Sequence, residues 1–137
     1  MMSIDTIKHK IYAYGNELGL SKDSYLYPWF SDTDQVFSDG CTVCAYDNAY
    51  HYVVKERGEE LQHIRSEDPE DVLYAVLEHI TFELAGDYEV AHRREGEDFR
   101  RLLFSKQLEL LEKIDVRFKE RGIAEIEKIL EIAPFTS

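Results

Sequence analysis

The chain reads as a single α+β domain spanning residues 1–137. The predicted order is an N-terminal helix, a three-stranded antiparallel β-meander, two long antiparallel helices and a short C-terminal helix. Three observations predict it. Apolar residues recur at three- and four-residue steps near the N-terminus and again through the C-terminal half, which is the helical period. Between these regions lie three short segments separated by Asp47-Asn48 and Arg57-Gly58, which is hairpin turn chemistry. The 137 residues, 44% of them hydrophobic, are enough for one core. A domain of this size buries roughly two thirds of the surface its unfolded chain exposes.

The first helix carries Ile4, Ile7, Ile11, Tyr14 and Leu18 on one stripe, and Gly19 can end it in a left-handed cap. Residues 23–40 have no helical period and are expected to form an ordered loop with room for one short strand. The meander comprises residues 41–46, 49–56 and 59–65. Tyr50, Tyr52 and Val54 share a face of the middle strand, and the third strand alternates poorly. Asp68, Pro69, Glu70 and Asp71 then make a helix N-terminus, with a cap, a first-turn proline and acids at the positive end of the dipole. This helix runs to about residue 94, and Gly96 breaks the chain. The next runs from about residue 98 to 121 and is expected to stop at Gly122. A short helix over residues 124–132 ends before Pro134.

The formal net charge is −12. Nucleic-acid binding is not expected, because phosphate contacts need Lys and Arg. A basic protein partner is compatible, since opposite charge steers encounter. No apolar run reaches the roughly 18 residues of a membrane span. The N-terminal pattern is interrupted by charges, unlike a signal peptide. Two cysteines make no disulfide framework, so the expected setting is cytoplasmic. No cofactor is expected, and a homo-oligomer is compatible with the sequence.

One stretch departs from the overall acidity. Residues 92–104, HRREGEDFRRLLF, carry Arg93, Arg94, Arg100 and Arg101 among Glu95, Glu97 and Asp98. On a helical wheel from Phe99, Arg100 and Gln107 fall in the middle of a broad apolar arc, whereas Arg101 falls on the other side. On the preceding helix Glu83 and Asp87 fall inside the apolar face. A buried charge without a partner costs several kcal/mol, so Arg100 is expected to pair with Glu83 or Asp87. Glu89, Arg93, Glu97 and Asp98 are expected to form a second, more exposed set that fixes the turn.

The run TFELAGDYEVAHRREGEDFRRLLFSKQLELL, with Glu56, Arg57 and Gly58 upstream, resembles the Imm63 family of bacterial immunity proteins. The resemblance covers about residues 56–111. Its most specific parts are Thr81-Phe82, Tyr88-Glu89, Arg93 and Asp98-Phe99-Arg100-Arg101, followed by Phe104 and Gln107. It implies a small α+β antidote that binds and blocks a cognate toxin of a polymorphic toxin system, and hence a protein that is not an enzyme. The identity of the toxin does not carry over.

Other motifs compete with that reading. Cys41-Thr42-Val43-Cys44 has redox or zinc spacing, but a redox pair sits at a helix N-terminus. Here it falls in a predicted strand that points the two side chains to opposite faces. Glu89-Val90-Ala91-His92 has the Glu-x-x-His spacing of di-iron helices. A small helical metalloprotein or enzyme using Glu89, His92 and Arg93 is therefore the rival reading. It needs a second such pair, and the other match, Glu60 to His63, lies in the third strand. His9, His51 and His79 form no cluster in the sequence.

Residues 23–54 contain no Lys or Arg. They hold Asp23, Asp32, Asp34, Asp39 and Asp47 with eight aromatics: Tyr25, Tyr27, Trp29, Phe30, Phe37, Tyr46, Tyr50 and Tyr52. Aromatics ringed by charge are how interface hot spots are built. The residues expected to meet a partner are Tyr27, Trp29, Asp32, Asp34, Asp39 and Asp47.

Overall fold

The computed structural model describes residues 2–36 and 39–137. Phe37, one of the eight aromatics, lies outside the described residues. The elements run α1 (Ile4–Glu17), β1 (Trp29–Ser31), β2 (Gly40–Tyr46), β3 (Ala49–Glu56), β4 (Glu59–Ser66), α2 (Pro69–Ala91), α3 (Phe99–Ile114) and α4 (Val116–Ile132). The chain divides into two compact units, Met1–Leu77 and Glu78–Ser137.

In the first unit, Ser3 caps α1 by accepting the Thr6 N–H at 3.2 Å. Ile7 and Ile11 on the α1 stripe are fully buried, and the helix packs against β1 and β2. Gly19 follows the helix with φ +83°, the left-handed conformation a C-cap glycine supplies. The sheet has four strands in the order β1-β2-β3-β4, with β1 parallel to β2 and the other pairs antiparallel. This corrects the three-stranded antiparallel meander. β1 is only three residues long, too short to display alternation, and its partner β2 comes after an intervening loop.

Both hairpin turns have their central residues at positive φ: Asp47 58° and Asn48 53°, then Arg57 52° and Gly58 79°. That is what a two-residue turn matched to strand twist requires. The third strand does form, as β4, although its first five residues are exposed.

The second unit differs from expectation at its breaks. α3 ends at Ile114, and Asp115 turns extended with φ −167°. Asp115 then caps α4 by accepting the Arg117 N–H at 2.9 Å. Gly122, expected to stop a helix, is buried inside α4, so the C-terminal helix has 17 residues and is not short. The apolar period runs unbroken through Leu111, Ile114 and Phe118, which hides the one-residue break. Ala85, Leu103 and Phe104 form a core with Ile126, Leu130 and Phe135 packed on it.

Candidate partner-binding surface

Gly15 shapes the N-terminal unit. A Cβ at position 15 would lie 2.0 Å from the Tyr27 hydroxyl and 2.6 Å from two ring atoms. Without one, the Tyr27 ring lies close over α1, its edge meeting Tyr12 at 4.5 Å between centroids. Lys8 Nζ stands 5.8 Å above the Phe30 ring. These side chains, with Tyr25, Pro28 and Trp29, line a groove of about 660 Å³ whose rim also carries Lys22, Asp23 and Asp39. Burial pushes the Tyr27 hydroxyl above its ordinary pKa, and the neighbouring Tyr12 adds to the shift. Tyr27 is half-buried in the groove, whereas Trp29 is 56% exposed on its rim.

Asp32 and Asp34 project from the loop after β1. The loop is ordered by hydroxyls: Ser31 Oγ accepts the Thr33 N–H at 3.2 Å, and Thr33 Oγ1 accepts the Gln35 N–H at 3.2 Å. Its turn is thus held without these two carboxylates. Asp39 is also exposed, and its Oδ1 accepts the Arg57 N–H at 2.7 Å. Asp47 sits in the first hairpin turn, 3.5 Å from Arg65. Five of the six residues expected to meet a partner are therefore exposed, and Tyr27 is the exception.

Strand register continues the Trp29 face across the sheet, where Thr42, Cys44, His51 and Val53 are buried. Trp29, Thr42, Val53 and His63 form one cross-strand row, and Ser31, Cys44, His51 and Arg65 form the next on the same face. His51 Nδ1 is 2.8 Å from His63 Nε2, and His63 Nδ1 is 3.0 Å from Glu60 Oε1. The meeting of His51 with His63 is not among the expectations from the sequence. Pairing β3 with β4 through the Arg57-Gly58 turn puts residues 51 and 63 diagonal on one face, so the register held the signal. Thr42 Oγ1, in the same row as Trp29, is buried without a hydrogen-bond partner. Thr42→Val is therefore expected to raise stability by about 1 kcal/mol. A fall in the urea midpoint would reveal a partner for the hydroxyl.

The cysteines stand apart from one another. Cys41 Sγ lies 3.3 Å from the Tyr52 hydroxyl. Cys44 Sγ donates to the Gln35 carbonyl at 3.7 Å. Burial raises both thiols, Cys44 to about 11, so both stay protonated and unreactive at neutral pH.

In the second unit the polar residues form three separate joints. Glu89 is 2% exposed and takes Arg93 through two hydrogen bonds, 2.9 and 3.0 Å. His92 instead stacks on Tyr88 at 4.1 Å. Glu89 and His92 thus face different partners, unlike a metal-ligand pair. Among the described residues no group of three or more His, Cys, Asp or Glu could hold a metal ion.

The second joint corrects the expected pairing of Arg100 with Glu83 or Asp87. The carboxylate partner is Asp98, at 2.9 and 3.2 Å. Arg100 also donates to the carbonyls of Ala133 and Pro134 at 2.8 and 2.9 Å. As the cap of α3, Asp98 accepts the Arg100 N–H at 3.0 Å, and it accepts the Thr136 N–H at 3.1 Å. These bonds, Arg100 first, hold its carboxyl far below the usual carboxylate range. The wheel placed Arg100 inward, but the segment that meets it, residues 133–136, is more than 30 positions away.

In the third joint buried Gln107 donates to the Glu78 carbonyl at 3.1 Å and to Thr81 Oγ1 at 3.3 Å. Asp87 is exposed and Glu83 half-exposed, and neither enters these joints.

Residues 46–128, more than half of the chain, match the family model described as Immunity protein 63. No curated protein and no solved structure matches the chain. Of the six residues expected to meet a partner, only Asp47 falls inside the matched segment.

Proposed function

The chain belongs to the Immunity protein 63 family, and from that premise we propose that it neutralises a cognate bacterial toxin by binding it directly. The proposed contact surface is the Trp29 rim of the aromatic groove with Asp32, Asp34, Asp39 and Asp47 around it. Tyr27 lines the same groove. The observation that carries this reading is the exposed indole beside two projecting carboxylates, in a segment without Lys or Arg. Before Glu78 the sequence has six basic residues against fourteen acidic ones; from Glu78 onward it has ten against fourteen. The acidic excess is therefore greater in the half of the sequence that carries the proposed surface, which suits a partner with a basic face.

The acids on α3 support the same choice. Lys106 neutralises Glu109 at 3.4 Å, and Lys119 contacts Glu112, so that side has little free negative charge to offer. In this reading the protein acts by occupancy in the bacterial cytoplasm and performs no catalysis. The Glu89, Arg93, Asp98, Arg100 and Gln107 joints hold the second unit together.

The test uses the cognate toxin, which an antidote is expected to have encoded beside it. Asp32→Lys combined with Asp34→Lys is expected to slow association, with the loss shrinking at high salt because screening removes steering from both proteins. Trp29→Ala is expected to speed dissociation. Association kinetics at two salt concentrations, with a melting curve for each variant, measure both. An unchanged association rate for the double-lysine variant moves the interface elsewhere.

A further inference from the structure

A single residue separates α3 from α4. Asp115 is at once the C-cap of α3 and the N-cap of α4, with φ −167° and ψ 132°. Helix–helix connections in bundles usually take about 2–8 residues. Here one residue sends the chain back on itself. Arg100, at the start of α3, reaches the carbonyls of Ala133 and Pro134 beyond the end of α4. Ile126, Leu130 and Phe135 accordingly pack on a core that contains Leu103 and Phe104.

The sequence across the break is that of one helix. At about 100° per residue, Phe104, Leu111, Phe118, Gly122, Ile126 and Leu130 fall within roughly a third of the circumference of a helix over residues 99–132. Each is buried or packed against the core of the hairpin. Turning Asp115 alone to helical φ and ψ therefore joins α3 and α4 into one amphipathic helix with its apolar stripe unbroken. The α4 half of that stripe then leaves its own α3 and needs a cover of the same shape.

A second copy of this chain supplies that cover. Two such helices, antiparallel about a two-fold axis near Asp115, set each α4 on the α3 of the other chain. The contacts of the hairpin are then remade between chains. Leu130 and Phe135 return to Phe104, and Arg100 returns to the two carbonyls. The Arg101 guanidinium, 4.2 Å above the Phe135 ring, and the Thr136 N–H on Asp98 follow. Exchange of an identical element gives up none of these contacts. We propose that Asp115 is a hinge for domain exchange, closed in the monomer and straightened in a dimer whose two copies exchange α4 and residues 133–137.

What holds the hinge closed is local. The Asp115 carboxylate accepts the Arg117 N–H at 2.9 Å and pairs with the Arg117 guanidinium, also at 2.9 Å. This cap serves α4 only while the helix begins at Val116. Inside a continuous helix the amides of that turn bond to carbonyls four residues back. One cap on each chain is thus set against protein concentration, which favours the dimer by mass action.

Two substitutions act on the hinge in opposite directions. Asp115→Ala removes the cap and puts the strongest helix former at the break. Val116→Pro suits the hairpin. Residue 116 is the first of α4, where proline is tolerated, and the extended backbone of Asp115 is what a following proline requires. Inside a continuous helix the same proline breaks the structure. The full-length wild type and both variants are refolded from urea over a range of protein concentrations, and their masses are measured by light scattering after size separation. Wild type is expected to give a dimer fraction that grows with concentration. Asp115→Ala is expected to raise the dimerisation constant about 25-fold, from about fivefold for the lost cap at each of two hinges. Val116→Pro is expected to stay monomeric. In a dimer assembled from isotope-labelled and unlabelled chains, the Phe104 and Phe135 rings, 6.2 Å apart in the hairpin, should show contacts between chains. Four results would each overturn the exchange: monomers throughout for wild type and Asp115→Ala, a dimerisation constant unmoved by Asp115→Ala, a Val116→Pro protein that dimerises like wild type, or Phe104–Phe135 contacts confined within one chain.

Discussion

Leu111→Ala is expected to lower the free energy of unfolding by about 3 kcal/mol, within the range for a buried leucine truncated to alanine. Leu111 is 0% exposed, and it sits one turn before the break between α3 and α4. Its carbonyl accepts the Asp115 N–H at 3.0 Å, so the turn that redirects the chain is tied to this residue. The two helices pack against each other, and Phe118 beyond the break is also buried. Removing three carbons leaves a cavity that a hydrogen-bonded turn cannot easily collapse to fill. Leu110→Ala, one position earlier and half-exposed, is the control and should cost much less. Urea unfolding followed by helical circular dichroism compares them; equal midpoints would mean that the α3–α4 joint is not the tight core described.

Gly15→Ala is expected to destabilise by about 1–3 kcal/mol, the usual cost of overpacking. The sign is not obvious. Alanine in a helix interior is favoured over glycine by about 0.5–1 kcal/mol. Here the added Cβ would meet Tyr27, 2.0 Å from its hydroxyl and 2.6 Å from two ring atoms. Tyr27 cannot simply rotate a flexible tip away, because the colliding atoms belong to a rigid ring held against Tyr12. Overpacking therefore outweighs propensity. In a Tyr27→Ala background the same Gly15→Ala change should become stabilising, since only propensity remains. A double-mutant cycle on the four proteins measures the reversal, and additive effects would show that Tyr27 does not press on Gly15 in solution.

The α3–α4 break shows how local and distant information divide. Asp115 caps α4 with its own side chain two residues ahead, which is chemistry the sequence contains in full. It escaped notice because the apolar period continues across it. Gly122 carried the opposite error: glycine can stop a helix, but here it is buried within one. β1 was legible only as room for one short strand within residues 23–40, for a different reason. Three residues cannot display a period, and they are a strand only because Thr42, Val43 and Cys44 pair with them.

Local sequence carried the Asp68 start of α2, the two hairpin turns, the inward direction of Arg100, the acidity of the N-terminal half and the family. Each of these depends on residues within about four positions of one another, or on composition. The tertiary structure alone decided which side chain meets which. Arg100 met the carbonyls of residues 133 and 134, and His51 met His63 across a hairpin. Tyr27 settled over Gly15, while Trp29 remained exposed on the rim. A helical wheel or a strand alternation gives the direction in which a side chain leaves its own backbone. The partner waiting there is brought by another part of the chain, and its position follows from the packing of the whole core.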